Sequence, residues 1–213
     1  MASNERKVDE REQRRETIIN SAIELIEQKG FESTTMDEIA ERADVSKGTL
    51  YLYFEDKSAL HQSIKKKALM MLREKFHNIF KENITGAEVV RKMSLVFLDF
   101  ILENKTFNRA MMLYEQSNRK ETEAEDVSDD CLALENELFM LIVRGLQIGI
   151  QDKSVRSSVP PKILGLHLVF EMRGILMYYT AGESGIIPTI ISEEGVSLRD
   201  VVNEFINSQL RLN

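Results

Sequence analysis

Residues 36–55 read MDEIAERADVSKGTLYLYFE, and the interpretation of the whole chain turns on this stretch. Ile39, Ala40, Ala43, Val45, Leu50 and Tyr53 fall where side chains must be apolar or small if two short helices are to cross closely, with Ala40 at the contact. Thr35 and Glu38 stand at capping-box spacing: the threonine hydroxyl satisfies an orphan backbone N–H and the glutamate reaches back, opening a helix from Met36 to Ala43. Asp44 takes the turn, where glycine is usual; Asp is among the few other residues that tolerate positive φ. Ser46 then caps a helix over residues 47–53, and Asp56 caps a third. The predicted unit is a helix-turn-helix.

Outward from this unit the pattern stays helical. Upstream, Ile18, Ile19, Ala22, Ile23, Leu25 and Ile26 recur with helical period over residues 10–29, and Lys29-Gly30 supplies a cation and a left-handed stop. The mixed-charge arm Arg6–Glu16 is expected to fray rather than enter a groove. Downstream, helical blocks run over about 57–82, 86–103, 105–117, 130–152, 160–181 and 197–212, which makes nine helices without strands or internal repeats. The breaks fall at 83–86, in the acidic stretch 121–130 read as a solvated loop, at 157–161, and over Gly182–Gly195. Block 160–181 is apolar around most of its circumference, so it has to be covered on several sides, centrally or in a subunit interface. The expected fold is all-α, with an N-terminal three-helix domain over residues 1–56 and a larger helical domain over 57–213.

Composition narrows the function classes. The chain has 213 residues, 10 Gly, 3 Pro and one cysteine, so it folds without an intrachain disulfide and without paired-cysteine zinc sites. The polar first sixteen residues and the lack of a long apolar run predict neither signal peptide nor membrane span, and a cytoplasmic setting. Net charge is −7, yet residues 42–67 carry six basic against three acidic side chains, whereas residues 118–130 carry six acidic against two basic. A local basic face is compatible with an acidic whole. The triplet Lys65-Lys66-Lys67 is expected to form a solvated helix face, and Cys131 to be a small packed residue.

In a helix-turn-helix the second helix enters the major groove by its N-terminal end, where free N–H groups and the helix dipole favour phosphate. Lys47, Gly48 and Thr49 lead that end. Gly48 lets backbone approach DNA closely, Lys47 can reach a phosphate or guanine, and Thr49 offers a hydroxyl and a methyl that suits thymine. Thr35, Tyr51, Tyr53 and Lys57 can donate to phosphates; Tyr53 also fills an interior position, so its ring can pack while its hydroxyl points out.

Residues 30–60, GFESTTMDEIAERADVSKGTLYLYFEDKSAL, resemble the DNA-binding region of the TetR family of bacterial transcriptional regulators, with TTMDEIA and VSKGTLYLYF carrying most of the likeness. Beyond them it rests on the helix pattern alone. The resemblance implies an Ω-shaped all-helical homodimer, joined by helices 160–181 and 197–212. It also implies a repressor of a palindromic operator that a small, largely apolar effector releases. It implies phosphate contacts at Thr35, Tyr51, Tyr53 and Lys57 and groove contacts at Lys47, Gly48 and Thr49. Glu55-Asp56 stands where many members carry a basic or neutral pair, and Leu52 where an aromatic is common.

An effector cavity between helices is expected to draw on Phe97, Phe100, Phe107, Met111, Met112, Tyr114, Phe139, Val143, Phe170, Arg173, Met177 and Tyr178; ordinary core is the competing reading of each. His167, Glu171 and Arg173 are polar exceptions on the apolar helix 160–181, placed to orient a ligand or face a dimer partner. No catalytic motif, cofactor or metal is expected: Glu74-x-x-His77 has half of a di-iron spacing and lacks the rest. Two alternatives stand beside the regulator, a dimeric helical scaffold without DNA binding and a helical-bundle enzyme.

Overall fold

The computed structural model describes residues 2–104, 106–107, 125–180 and 185–210, with side chains from residue 9 onward in the first helix and from 129 in the helix that opens at 125. Nine helices stand among the described residues: α1 (Ala2–Lys29), α2 (Met36–Arg42), α3 (Lys47–Tyr53), α4 (Lys57–Ile79), α5 (Gly86–Glu103), α6 (Glu125–Gln151), α7 (Pro161–Thr180), α8 (Ile186–Glu194) and α9 (Leu198–Leu210). The chain divides into two compact units, one of residues 1–68 with 104–132, the other of residues 69–103 with 133–213. The division runs through α4, which gives its first half to one unit and its second half to the other.

In the first unit, α1 packs on α2 and α2 on α3. Ile18, Ile19, Ala22 and Ile26 of α1, Ile39 and Ala40 of α2, Leu50 of α3, and Phe54, Leu60 and Ile64 beyond it are buried. Arg6–Glu16 is not a frayed arm: α1 is helical from Ala2, and two guanidinium groups lie over aromatic faces, that of Arg11 6.0 Å from the Tyr53 ring centroid and that of Arg15 5.3 Å from that of Phe54. Arg15 also donates to Ser63 Oγ at 2.7 Å. The lysine triplet differs from expectation too. Lys65 is buried, Lys66 pairs with Asp130, and Lys67 with Glu16 and Asn20. Asp130 can do so because α6 begins at Glu125, which makes the second half of the acidic stretch helix rather than loop. Cys131 is buried, its thiol donating to the Gln62 carbonyl at 3.7 Å.

In the second unit, the start of α5 meets the end of α6 at backbone distance. A Cβ on Gly86 would stand 2.0 Å from the Gly149 nitrogen, and Asp152 and Ser154 accept from the otherwise unpaired N–H groups of Gly86 and Ala87 at 2.8 and 3.0 Å. Helix α9 buries Leu198, Val202, Ile206 and Leu210 at four-residue intervals and is tied to α5 by Arg91–Asn207 (2.6 Å) and Arg199–Asp99 (2.5 Å). The break expected over Gly182–Gly195 contains a helix, α8. Pro188 sits in its first turn, where a missing N–H costs nothing, and Gly195 closes it at φ 65°. Residues 181–184 and most of the block 105–117 lie outside the described residues.

Candidate nucleic-acid interface

The local signals around α2 and α3 produce the geometry they predict. Thr35 Oγ1 accepts from the Glu38 N–H, and Glu38 accepts from the Thr35 N–H at 2.9 Å; both hydrogen bonds of the capping box form. With Lys29 and Thr35 both donating to it, the Glu38 carboxyl is pulled down to about 2. Gly30 takes φ 85° after α1. Asp44 takes φ 53°, and around it Val45 N–H donates to the Ala40 carbonyl at 3.0 Å and Asp44 N–H to that of Glu41 at 3.2 Å. That pair of hydrogen bonds is the Schellman closure, here built on aspartate. Ser46 Oγ accepts from the Thr49 N–H at 3.0 Å and starts α3; Asp56 accepts from the Ala59 N–H at 2.7 Å and starts α4.

Two short helices held this way present one face outward. Lys47, Gly48 and Tyr51 are exposed, Thr35 is exposed at the head of α2, and Thr49 is half-buried. Leu52 is 78% exposed, an apolar side chain left in water beside the predicted contacts. Tyr53 is half-buried under Arg11, so its ring does belong to the packing. Lys57 lies 4.3 Å from the Phe31 ring centroid and 3.4 Å from the Glu32 carbonyl, and partial burial lowers its pKa. The seven predicted residues therefore share the α2–α3 surface and its flank.

Several of these groups already have partners within the chain. Lys47 Nζ lies 2.7 Å from Asp37 Oδ1 and 2.9 Å from Oδ2, and the hydrogen bond to that carboxylate raises its pKa. Thr49 Oγ1 is 2.8 Å from Ser46 Oγ. Gly48 needs its small size for nothing inside the chain: a Cβ there would meet only Ser46 Oγ, at 3.9 Å. Asp37, Arg11 and Arg15 escaped the sequence reading, because nothing local in the sequence shows which acid meets Lys47 or which arginine covers Tyr53.

The predicted effector residues scatter. Phe100 and Val143 are buried in the second unit, where Phe97, Phe139 and Arg173 are half-buried; Phe107 is buried in the first unit. Met111, Met112 and Tyr114 lie outside the described residues. Phe170, Met177 and Tyr178 are 65%, 52% and 55% exposed and so do not line the interior of this chain. The reason is that α7 buries the four-residue series Leu164, Leu168, Met172 and Leu176, and the three others fall off that stripe. Glu171 is exposed and accepts from Gln209 at 3.3 Å. His77 pairs with Glu137 at 3.3 Å rather than serving a site with Glu74. Among the described residues no group of three or more His, Cys, Asp or Glu could hold a metal, and no helix is long and apolar enough to cross a membrane.

Comparison with known proteins joins this geometry to a lineage. Residues 18–64 match the family described as bacterial regulatory proteins, tetR family. The uncharacterized HTH-type transcriptional regulator YhgD of Bacillus subtilis is 24% identical over 147 residues, 69% of this chain and 74% of that protein. The fatty acid metabolism regulator protein of the same organism is 34% identical over 79 residues, 37% of this chain and only 39% of that protein. Among solved structures, the FadR TetR-family repressor of Thermus thermophilus, in complex with lauroyl-CoA, superposes with a TM-score of 0.63 at 25% identity, covering 93% of this chain and 92% of that one. These proteins are named as regulators of transcription or metabolism. Residues 18–64 thus carry the DNA-binding segment of the tetR family of bacterial regulatory proteins, and the chain as a whole is similar to regulators of that family.

Proposed function

We propose that the protein is a cytoplasmic, ligand-responsive repressor that binds a palindromic operator as a homodimer. The observation that carries this reading is the outward face of α3, where Lys47 and Gly48 at its N-terminal end and Tyr51 further along stand exposed within the segment that matches the family. Each protomer sets α3 into the major groove, with half-sites one helical turn apart, roughly 34–36 Å. Lys47, Gly48 and Thr49 work at the groove; Thr35, Tyr51, Tyr53 and Lys57 hold phosphates.

The dimer forms through α7 and α9, a reading supported by the apolar surface that α7 leaves in water at Ile163, Leu166, Phe170, Met177 and Tyr178. The effector is a largely apolar small molecule, and a long-chain acyl thioester of coenzyme A is the class to try first. The Thermus thermophilus relative was solved with lauroyl-CoA, and the fatty acid metabolism regulator of Bacillus subtilis shares 34% identity over its matched segment. Effector and operator oppose each other through the same conformational equilibrium, with a coupling of about 1–3 kcal/mol.

The test is to incubate the purified protein with fragmented genomic DNA, sequence what it retains, and challenge the complexes with lauroyl-CoA, coenzyme A and laurate. Retained fragments sharing an inverted repeat, bound by two chains and released by the acyl thioester, are expected. Retention without a shared repeat, or one chain per site, overturns the dimeric repressor; release by none of the three overturns the effector class.

A further inference from the structure

The ion pair at the head of α3 has a consequence for how the regulator tells its operator from other DNA. Asp37 is the second residue of α2, yet it takes no part in capping that helix, which Thr35 and Glu38 accomplish between them. Its carboxylate instead faces Lys47, with both oxygens within 2.9 Å of Nζ, while the two side chains remain 64% and 61% exposed. Lys47 is the first residue of the helix that meets DNA, so the cation best placed to engage the backbone is already occupied by an anion of its own chain.

We propose that Asp37 is a specificity-determining residue that stands in for a DNA phosphate on Lys47 and withholds this lysine from non-specific duplex. The inference rests on the DNA-binding reading above. To a lysine ammonium, a carboxylate and a phosphate are near-equivalent point acceptors. Moving Lys47 from Asp37 to an arbitrary phosphate therefore gains little, and it strands Asp37 as an unpaired charge beside a polyanion. Counterions follow the same logic, because the cation released by that phosphate is offset by the cation Asp37 then takes up. Only a groove that seats α3 closely, through the open backbone at Gly48, offers Lys47 base-edge acceptors as well and so draws it away.

The experiment measures affinity for a selected operator duplex and for a scrambled duplex of equal length over a salt series, using wild type, Asp37→Asn, Lys47→Ala and the double variant. Asp37→Ser, which retains a good residue for a helix start, is run beside Asp37→Asn, and thermal unfolding verifies that each variant is folded. Asp37→Asn is expected to bind scrambled DNA about 3- to 5-fold tighter, a gain of the size an exposed ion pair allows, and the operator by a smaller factor. Its plot of log affinity against log salt on scrambled DNA steepens by about 0.9 for each protomer engaged. In the Lys47→Ala background the Asp37 substitution relieves only the repulsion between its carboxylate and the phosphates, so its gain on scrambled DNA is smaller and the salt slope no longer steepens. Equal tightening on both duplexes, an undiminished gain without Lys47, or no change at all overturns the proposal. Failure of the parent reading is distinct from these: wild type itself would then show no salt-dependent preference for any duplex.

Discussion

Gly48 separates folding from function most sharply at the scale of single residues. Glycine in a helix costs about 0.5–1 kcal/mol against alanine, and the chain around Gly48 has room for a methyl group. Gly48→Ala is therefore expected to stabilise the protein by about 0.5 kcal/mol in denaturant titration while weakening operator binding at least tenfold; unchanged binding would mean the backbone there never approaches DNA. His61 gives a prediction of a different kind. It is 7% exposed, its ring centroid 4.8 Å from that of Phe31, and burial, with Lys65 and Lys57 nearby, lowers its pKa from 6.5 to about 4. Between those values the unfolded chain binds a proton that the folded chain refuses, so the stability His61 lends is full above pH 6.5 and is lost as pH falls to about 4. Unfolding free energy measured from pH 7 to 4 should fall for wild type and fall less for His61→Gln; parallel curves would contradict it. Much of the residue scale was legible in advance. Thr35, Glu38, Asp44, Ser46 and Asp56 act on backbone groups at most four residues away, and such interactions are written in adjacent letters. Asp37 on Lys47 and Arg11 on Tyr53 join different helices, so neither could be found before the helices were placed.

Helix by helix, legibility followed period and length. Block 86–103 matches α5 end for end, because Thr85 and Glu88 form a second capping box and the apolar stripe is continuous. Helix α8 was missed because glycines flank it and Pro188 stands within it, signals of a break that are also those of a short helix with its proline in the first turn. The arm before residue 17 was missed for want of an apolar stripe; its helix instead sets arginine guanidinium groups over aromatic rings. The crossing of α5 and α6 was equally silent, since its requirement is an absence of side chains at Gly86, Gly145 and Gly149. Gly86→Ala would place a Cβ 2.0 Å from one backbone atom and 2.4 Å from another, which only a shift of a whole helix can relieve. A loss of about 3 kcal/mol or more is expected from its unfolding curve, against little change for Gly174→Ala, where a Cβ meets nothing within 4 Å. Comparable losses at the two positions would show that α5 and α6 do not meet as described.

At the scale of the whole molecule, the seven predicted DNA contacts gather around the α2–α3 surface, whereas the predicted effector residues divide between core and outside. Periodicity explains the difference. It identifies apolar side chains but not which of them face a cavity, a core or another subunit. Helix α7 shows this directly, with Leu168 and Met172 buried and Phe170 between them 65% exposed. The proposed dimer assigns those outward side chains a role, so Phe170→Glu is expected to leave the fold intact and shift sedimentation from dimer to monomer; a dimer of unaltered stability would remove α7 from the interface. The central claim is that two copies of α3 read a two-fold symmetric sequence. It is tested most directly by selecting random double-stranded DNA with the purified protein at two salt concentrations, without effector, alongside Thr49→Ala. The account predicts an enriched palindrome with half-sites about one helical turn apart, affinity that falls as salt rises, and altered preference within the half-site for the variant. Recovery of no common sequence at either salt would contradict it.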